Sequence, residues 1–489
     1  MSDETIMQQS VPPSHLNLRP LRVLIIGAGI AGPSVAYWLT RLPPPFKCEI
    51  TIAERHPTLR DAGQQIDIRG PGIKVMQQMG IDEQVRACAV DEPGVLVLNR
   101  KGKKVAFFAA GGIEKKKGGE TKKNESKAFS AEWEVMRNDL VNVLYDLTKD
   151  REGVKYQFEK EFVAMGYEGH PLGPEKGVKV WFKQDLFNSE TYDLVIGADG
   201  VGSKVRGWIR GSGEDKDDVF DAVDMAMAFF TIPGKEDDPK EFTWCHLPGR
   251  RLIMTRHEKP EYLRVIFAVV GDHPELREAH KNGSVQQQKE AWAKLFEPDR
   301  NKSWQVARYL DGLFNSTEAN DWWAHDLAQV KMKKWSWAER AVLVGDAGYC
   351  PTPATGMGTT LAFVGAYILG GEIARACKKV MAEGKWDGNP WSTTILPEAL
   401  EGYESQLRPL VTEIHSLNIK KFMRLFLPKK AWQIGLFHAM ARFIKKTPID
   451  NIPALGKEGK KAWRLPDYSE VFTPEGQKPP NGVSQTNRE

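Results

Sequence analysis

Hydrophobic positions along this chain fall into two kinds of pattern. The run "RVLIIG" at 22–27 is continuously apolar, as in a strand buried on both faces of a parallel sheet. A helix is predicted over 31–42, with Pro33 tolerated in its first turn, and "PPP" at 43–45 stops it. The strand "EITIAER" at 49–55 completes a βαβ unit. Two later apolar strands, "YDLVIGADG" at 192–200 and "RAVLVGDAG" at 340–348, each end in a glycine turn. Between them the pattern changes. Residues 209–334 hold aromatic-rich strands, "MAMAFFTIPG", "FTWCHLPG", "RLIMTR" and "YLRVIFAVVG", then a polar helix near 284–298. This predicts a sheet-built domain inserted between two pieces of an α/β nucleotide domain. A long helix follows 359, its glycines allowing close packing, and helical sequence resumes at about 396–445.

The expected division is a disordered N-terminus at 1–20 and a nucleotide domain at 21–208 and 335–395. The inserted sheet domain takes 209–334, C-terminal helices take 396–450, and a largely disordered tail takes 451–489. Composition narrows the function classes. Much of the net charge of +4 sits in "EKKKGGETKKNESK" at 114–127, which reads as a mobile, solvated loop at about 112–128. Basic residues do not line a face with aromatics between them, so nucleic acid is not an expected partner. Cys48, Cys88, Cys245, Cys350 and Cys377 are scattered, without metal or disulfide-framework spacing, and the histidines show no metal motif. The polar N-terminus is unlike a signal peptide and no apolar run reaches 18 residues, so a reducing, cytoplasmic setting is the default.

The chemistry begins at "GAGIAG". Gly27, Gly29 and Gly32 have G-x-G-x-x-G spacing straight after a strand and opening a helix. The first allows the tight turn, the second lets backbone approach a pyrophosphate, and the third lets helix pack on strand. Glu54 ends the next strand about 20 residues on, where a carboxylate accepts hydrogen bonds from ribose hydroxyls. Strand, loop, helix and acid together imply a bound dinucleotide.

A second glycine-rich turn, "GDAGYCPTPATGMG" at 345–358, suggests which one. A nicotinamide dehydrogenase has no use for it; a dinucleotide with an isoalloxazine ring does, because its far half crosses the sheet. Asp346 at a strand end is placed to hydrogen-bond ribityl hydroxyls. The turn at 353–358 and the helix after it would set backbone N–H groups and a helix dipole beside the ring.

Three motifs in order, "GAGIAG…ER" at 27–55, "DLVIGADGVGSKVR" at 193–206 and "GDAGYCPTPATGMG", resemble the single-component (class A) flavin-dependent aromatic hydroxylases of the p-hydroxybenzoate hydroxylase fold. "AGQQIDIRGPGIKVMQQMGI" at 62–81 and "AGPSVAYWL" are most similar to the tetracycline-inactivating FAD monooxygenases within that family. The resemblance covers most of 21–390. It implies an α/β fold: a Rossmann-like FAD-binding domain of glutathione-reductase type, an inserted sheet-based substrate domain and a C-terminal helix. By matching position it implies that Glu54 binds the adenosine ribose with Arg55 beside it, and that Asp67 approaches the flavin. Arg137 would contact the cofactor from a helix that begins there. Asp199 and Gly200 would serve FAD and NADPH, while Asp346, Pro353 and Gly356 would hold the ribityl chain and ring. One departure stands out: many relatives read Gly-Asp-Ala-Ala-His where this chain has Gly345 to Tyr349, so no imidazole is expected there.

The implied reaction uses NADPH and dioxygen to hydroxylate an aromatic or polyketide-like small molecule through a flavin 4a-hydroperoxide. A group that deprotonates or polarises a phenolic substrate is expected, and the sequence names none. Trp244, His246, Met254 and Arg256, on strands of the inserted domain, are candidates to touch substrate, against the plainer reading of core packing. Baeyer–Villiger oxidation or epoxidation would use the same oxidant. A halogenase is the more distant alternative: "KWSWAE" at 334–339 has two tryptophans but Ala338-Glu339 where Ile-Pro belongs. A non-redox prenyl-protein escort or GDP-dissociation inhibitor shares the nucleotide fold, and the intact Asp199-Gly200 and Gly345-Asp346 pairs argue against it. Finally, 420–446 is basic and amphipathic, suiting either a peripheral membrane contact or helices packed across both domains.

Overall fold

The computed structural model describes residues 18–59, 64–90, 93–109, 133–167, 177–210, 219–259, 261–384, 391–446 and 463–474. Most of the N-terminal segment expected at 1–20, and the Lys-rich loop expected at 112–128, lie outside them. The chain runs β1 (Leu21–Ile26), α1 (Ala31–Leu39), β2 (Cys48–Ala53), β3 (Gln65–Asp67), α2 (Pro71–Gln78) and α3 (Asp82–Ala87). There follow β4 (Gly94–Leu98), β5 (Lys104–Ala109), β6 (Glu134–Met136), α4 (Arg137–Thr148), β7 (Val154–Gln157), β8 (Phe162–Tyr167) and β9 (Val178–Phe182). Next are β10 (Asp185–Tyr192), β11 (Leu194–Gly197), α5 (Lys204–Arg210), β12 (Phe220–Pro233), β13 (Phe242–Leu247), β14 (Arg251–Lys259) and β15 (Tyr262–Val270). Then come α6 (Pro274–Asn282), α7 (Val285–Phe296), α8 (Val306–Asn315), β16 (Trp323–Val330), β17 (Ser336–Trp337), β18 (Ala341–Leu343) and α9 (Asp346–Tyr349). Helices α10 (Gly358–Glu383), α11 (Leu396–His415), α12 (Ile419–Phe426) and α13 (Ala431–Lys446) complete the order.

The continuously apolar strands do what their pattern requires. β18, β11, β1, β2 and β7 lie side by side in parallel, with β17 antiparallel at one edge. Their side chains are covered on both faces, by α1 and α4 and by the long α10 among others. α10 is long and apolar enough to cross a membrane, yet nearly all of it is buried within the protein, as the central helix of this core.

The second sheet has the order β16-β12-β15-β14-β13-β4-β5. β4 and β5 come from 94–109, so this domain is not confined to 209–334 as expected. The run "GVLVL" pairs in parallel with β13 and extends the sheet by a hairpin. Period-two alternation then sorts the two faces. Ala228, Phe230, Ile253, Val265 and Phe267 pack under α7 and α8, whose entry is fixed by a Ser284–Gln287 capping box. Met225, Phe229, Leu252, Met254 and Ile266 point the other way, towards the nucleotide domain and α12.

The C-terminal helices touch both domains: α11 lies along α10, α12 against β12, and α13 against β5 and β13. Part of the tail expected to be disordered is ordered too. Tyr468 and Phe472 are buried, with the Tyr468 amide donating to Tyr367 Oη at 3.0 Å and the Tyr468 hydroxyl donating to Glu372. Two aromatic side chains give that polar stretch something to bury, which its composition hides.

Candidate active site

The first glycine turn closes where β1, β2 and β11 end. A Cβ at Gly32 would come 2.1 Å from the Gly27 carbonyl oxygen, and one at Gly27 would come 2.5 Å from the Ala198 carbonyl oxygen. Both glycines are therefore demanded by backbone contact. Gly29 is different. Its absent Cβ would face only Arg137 Nη2, at 3.3 Å. Arg137 is the first residue of α4, and its guanidinium is held beside the loop. Ile30, at the N-cap of α1, supplies no side-chain cap, so the loop joins positive helix end and cation over one spot. Glu54 Oε2 accepts from Ala28 N–H and Oε1 from His56 N–H, both at 3.1 Å, which fixes the carboxylate at the strand end. Arg55 is exposed, and its Nε lies 3.4 Å from His56 Nε2, directed along the surface.

The second turn lies across the sheet. Gly356 has φ +64°, and a Cβ there would meet Asp67 Oδ2 at 3.1 Å. Asp67 accepts from Arg69 Nε at 3.0 Å and from its Nη2 at 2.6 Å, while Thr360 Oγ1 accepts from the Arg69 amide at 3.0 Å. The turn at Pro353–Thr355 leads into α10, whose N-cap Met357 offers no side-chain cap. Asp346 stands at the end of the neighbouring strand, 3.7 Å from where a Gly358 Cβ would be. Burial raises its carboxyl above the ordinary aspartate range; a Cys350 hydrogen bond and the charges of Arg137 and Arg206 offset part of that rise. Arg206 is itself buried, donating to the carbonyls of Ala347 at 2.9 Å and Val201 at 2.5 Å.

Asp199 has a local task besides any cofactor contact. Its carboxylate accepts from Ser203 Oγ at 2.5 Å, Lys204 N–H at 2.7 Å and Val205 N–H at 3.3 Å, capping α5. Gly200 carries the turn at φ +77° with open space beside it.

The four candidate substrate residues all lie on the sheet face turned towards these two loops, but the structure separates them. Met254 joins Met225, Leu252, Ile266, Met423 of α12 and Ala354 of the second turn in one apolar cluster. Trp244 meets Phe426 edge-on at 5.2 Å, and His246 is buried among Phe426, Phe437 and His438. These two are covered by α12 and α13, so they support those helices, of which α12 reaches the Met254 cluster. Arg256 lies 3.6 Å over the Phe242 ring and donates to Glu134 Oε1 at 2.7 Å and to Gln65. It ties the sheet to the β3–β6 ribbon that carries Asp67.

Residues 20–383 match the family described as FAD binding domain. The chain belongs to that family. It is 35% identical over 455 residues to flavin-dependent monooxygenase eupH of Phoma sp, covering 92% of this chain and 98% of that one. It is 33% identical over 457 residues to FAD-dependent monooxygenase asL4 of Sarocladium schorii, covering 92% and 99%. Among solved structures, tetracycline destructase Tet(55) superposes with a TM-score of 0.65 at 25% identity, over 91% of this chain and 98% of that one. The chain is an FAD-dependent monooxygenase in fold and class, and the non-redox escort reading falls with that.

FAD fits the residues present. Two helix N-termini without side-chain caps, Arg137 over a bare glycine, and an interior carboxylate at Asp346 need a polyanionic, hydroxyl-bearing ligand. Sequence reasoning missed Glu134 and Gln65, which the pairing of β3 with β6 brings together, and Arg69, which sits two residues beyond Asp67 within "QQIDIRG" and was open to notice. Arg206 was in plain view within "DGVGSKVR". The departure at Tyr349 is accommodated by the core. Its side chain points into the core, where a Gly365 Cβ would be 2.0 Å from its hydroxyl oxygen, and its Oη lies 2.9 Å from Tyr403 Oη. The Trp335 that suggested a halogenase is also core, packed on Tyr349 with Arg408 over its ring at 4.1 Å.

Proposed function

We propose that this FAD-dependent monooxygenase accepts a hydride from NADPH and hydroxylates an apolar, fused-ring aromatic or polyketide-like molecule. The observation that carries this is the Met225–Met254–Ile266–Met423 cluster, which reaches Ala354 in the second glycine turn. A methionine-rich wall adapts to a broad apolar ligand without demanding a fixed charge partner. The relationship to a tetracycline destructase, an enzyme named for a fused-ring phenolic molecule, points the same way.

In this reading Gly29, Arg137 and the start of α1 hold the diphosphate, and Glu54 holds the adenosine ribose. Asp346 binds ribityl hydroxyls, while Asp67, Pro353 and Gly356 line the ring. Bound FAD supplies reduction by NADPH and transfer of one atom of dioxygen to the substrate. The protein's share is positioning, exclusion of water and a positive field at the α10 N-terminus. Arg69 keeps Asp67 oriented beside the turn.

The test is the visible spectrum of the purified protein with NADPH under argon, then air and a phenolic polyketide. Flavin bands that bleach, followed by a product heavier by one oxygen, support the reading. Bands that stay oxidised with NADPH, with and without the aromatic substrate, overturn the donor assignment.

A further inference from the structure

Helix α13 is apolar on two sides. Its inner side, Ile434, His438 and Ala441, is buried against the sheet, and Phe437 closes on His246. Its outer side carries Trp432, Leu436, Met440 and Phe443, which are 65%, 59%, 52% and 64% exposed. At 3.6 residues per turn these four fall within an arc of about 80°, directly opposite the buried residues. Leu425 of neighbouring α12 is 77% exposed. A folded surface does not ordinarily leave so many large apolar side chains together in water.

The charge around this stripe is of one sign. From Ile414 to Ile449 the chain contains eight Lys and Arg and no Asp or Glu. Lys421, Arg424, Lys429, Lys430 and Arg442 are exposed. Arg424 is paired with Asp224 at 3.0 Å, and Lys420 with Asp221 at 3.3 Å, so part of the charge is spent within the protein. Lys421, Lys429, Lys430 and Arg442 face outward. A second copy seated on the stripe about a two-fold axis would bring two basic segments together, which opposes pairing. An anionic lipid surface satisfies both the apolar stripe and the basic flank.

We propose that the outer face of α13, with Leu425 of α12, docks this enzyme on anionic phospholipid membranes, with the stripe inserted among the headgroups. Each basic residue near such a surface raises partitioning about fivefold, and the inserted Trp432, Leu436 and Phe443 supply the apolar part. Ile419 and Met423 of α12 join the methionine cluster, and α13 packs beside α12 through Phe437 on Phe426, so docking would bring that wall towards the bilayer in which an apolar substrate dissolves.

The experiment is flotation of the full-length, FAD-loaded protein with phosphatidylcholine vesicles, with and without phosphatidylserine. Binding to the phosphatidylserine vesicles that weakens with salt, and falls about tenfold or more in Leu436→Glu and in Lys429→Glu/Lys430→Glu, supports the proposal. Flavin content and melting temperature establish that these surface variants fold. Failure to float with anionic vesicles at low salt overturns it, as does binding that Leu436→Glu leaves unchanged. A concentration-dependent dimer that Leu436→Glu abolishes, without vesicle binding, assigns the stripe to a second copy instead. Turnover of a water-soluble substrate without vesicles reads the oxygenase assignment separately.

Discussion

Arg137 Nη2 lies 3.3 Å from the point where Gly29 would carry a Cβ. The glycine is thus not required by the protein's own packing, because the nearest atom is the end of a flexible side chain and no positive φ is recorded there. In the proposed reading, its missing side chain leaves room for the diphosphate to approach the loop. Gly29→Ala should fold normally, with the apoprotein melting within a degree or two of wild type, yet bind FAD about 10- to 100-fold more weakly. Arg137→Ala should lose a similar factor, since a charge-assisted hydrogen bond is worth about 1.5–3 kcal/mol. Fluorescence titration of apoprotein with FAD measures both. Wild-type affinity in either variant would remove the diphosphate from this spot.

Asp346 separates stability from binding. Burial raises its carboxyl, so the folded chain holds the proton more tightly than the unfolded one. Stability of the apoprotein therefore falls as pH climbs from the unfolded value through the raised folded value, and the ionised group remains a cost above it. Asp346→Asn should raise the apoprotein melting temperature at neutral pH while weakening FAD binding about tenfold. Asp346→Ala should purify without flavin. Full flavin content in the alanine variant would mean that the carboxylate does not touch the cofactor.

Some of this was legible in the sequence and some could not be. The strand–glycine–helix unit at 22–39 is readable because every requirement is local: an apolar run, three glycines at fixed spacing, an acid on the next strand. The placement of β4 and β5 is not. "GVLVL" reads as a strand, but nothing within it says that its neighbour will be Phe242–Cys245. Glu134 became visible only when β3 paired with β6. Tyr468 and Phe472 sit in a polar stretch whose two aromatics dock on residues about a hundred and several hundred positions away, Tyr367 and Trp38.

Arg256 and Glu134 form a largely buried ion pair between the domains, with exposures of 16% and 6% for their side chains. Burial raises the Glu134 carboxyl, and Arg256 offsets part of that. Removing one partner strands the other. Arg256→Ala should cost about 3–5 kcal/mol, seen as a large fall in melting temperature, whereas the Glu134→Gln/Arg256→Met double variant should recover most of it. If the single and double variants melt together at the wild-type temperature, the pair does not couple the sheet to the β3–β6 ribbon.

Tyr349 tests the departure from the His-bearing relatives. Its hydroxyl meets Tyr403, which also donates to the Leu343 carbonyl at 3.0 Å, so Tyr349→Phe removes one buried hydrogen bond. The expected cost is about 1 kcal/mol of stability, with FAD affinity and turnover unchanged. A changed flavin spectrum or rate would place this residue in contact with the cofactor site after all.

His246 sets a pH dependence of opposite sign to that of Asp346. Burial, with a smaller contribution from His438, pushes it down to about 3, so it stays neutral in the folded protein. The unfolded chain takes up a proton near pH 6.5, and the folded one does not until about pH 3. Between those values the unfolded state binds more protons, so stability falls as pH drops, by about 1.4 kcal/mol per pH unit for this one group. His325, pushed down to about 4 chiefly by burial, adds to the slope over a narrower window. His246→Phe suits the aromatic cage of Phe426 and Phe437 and should flatten the decline in melting temperature between pH 7 and about pH 5. A slope as steep as wild type in His246→Phe would mean that the imidazole is not buried neutral beneath α12 and α13.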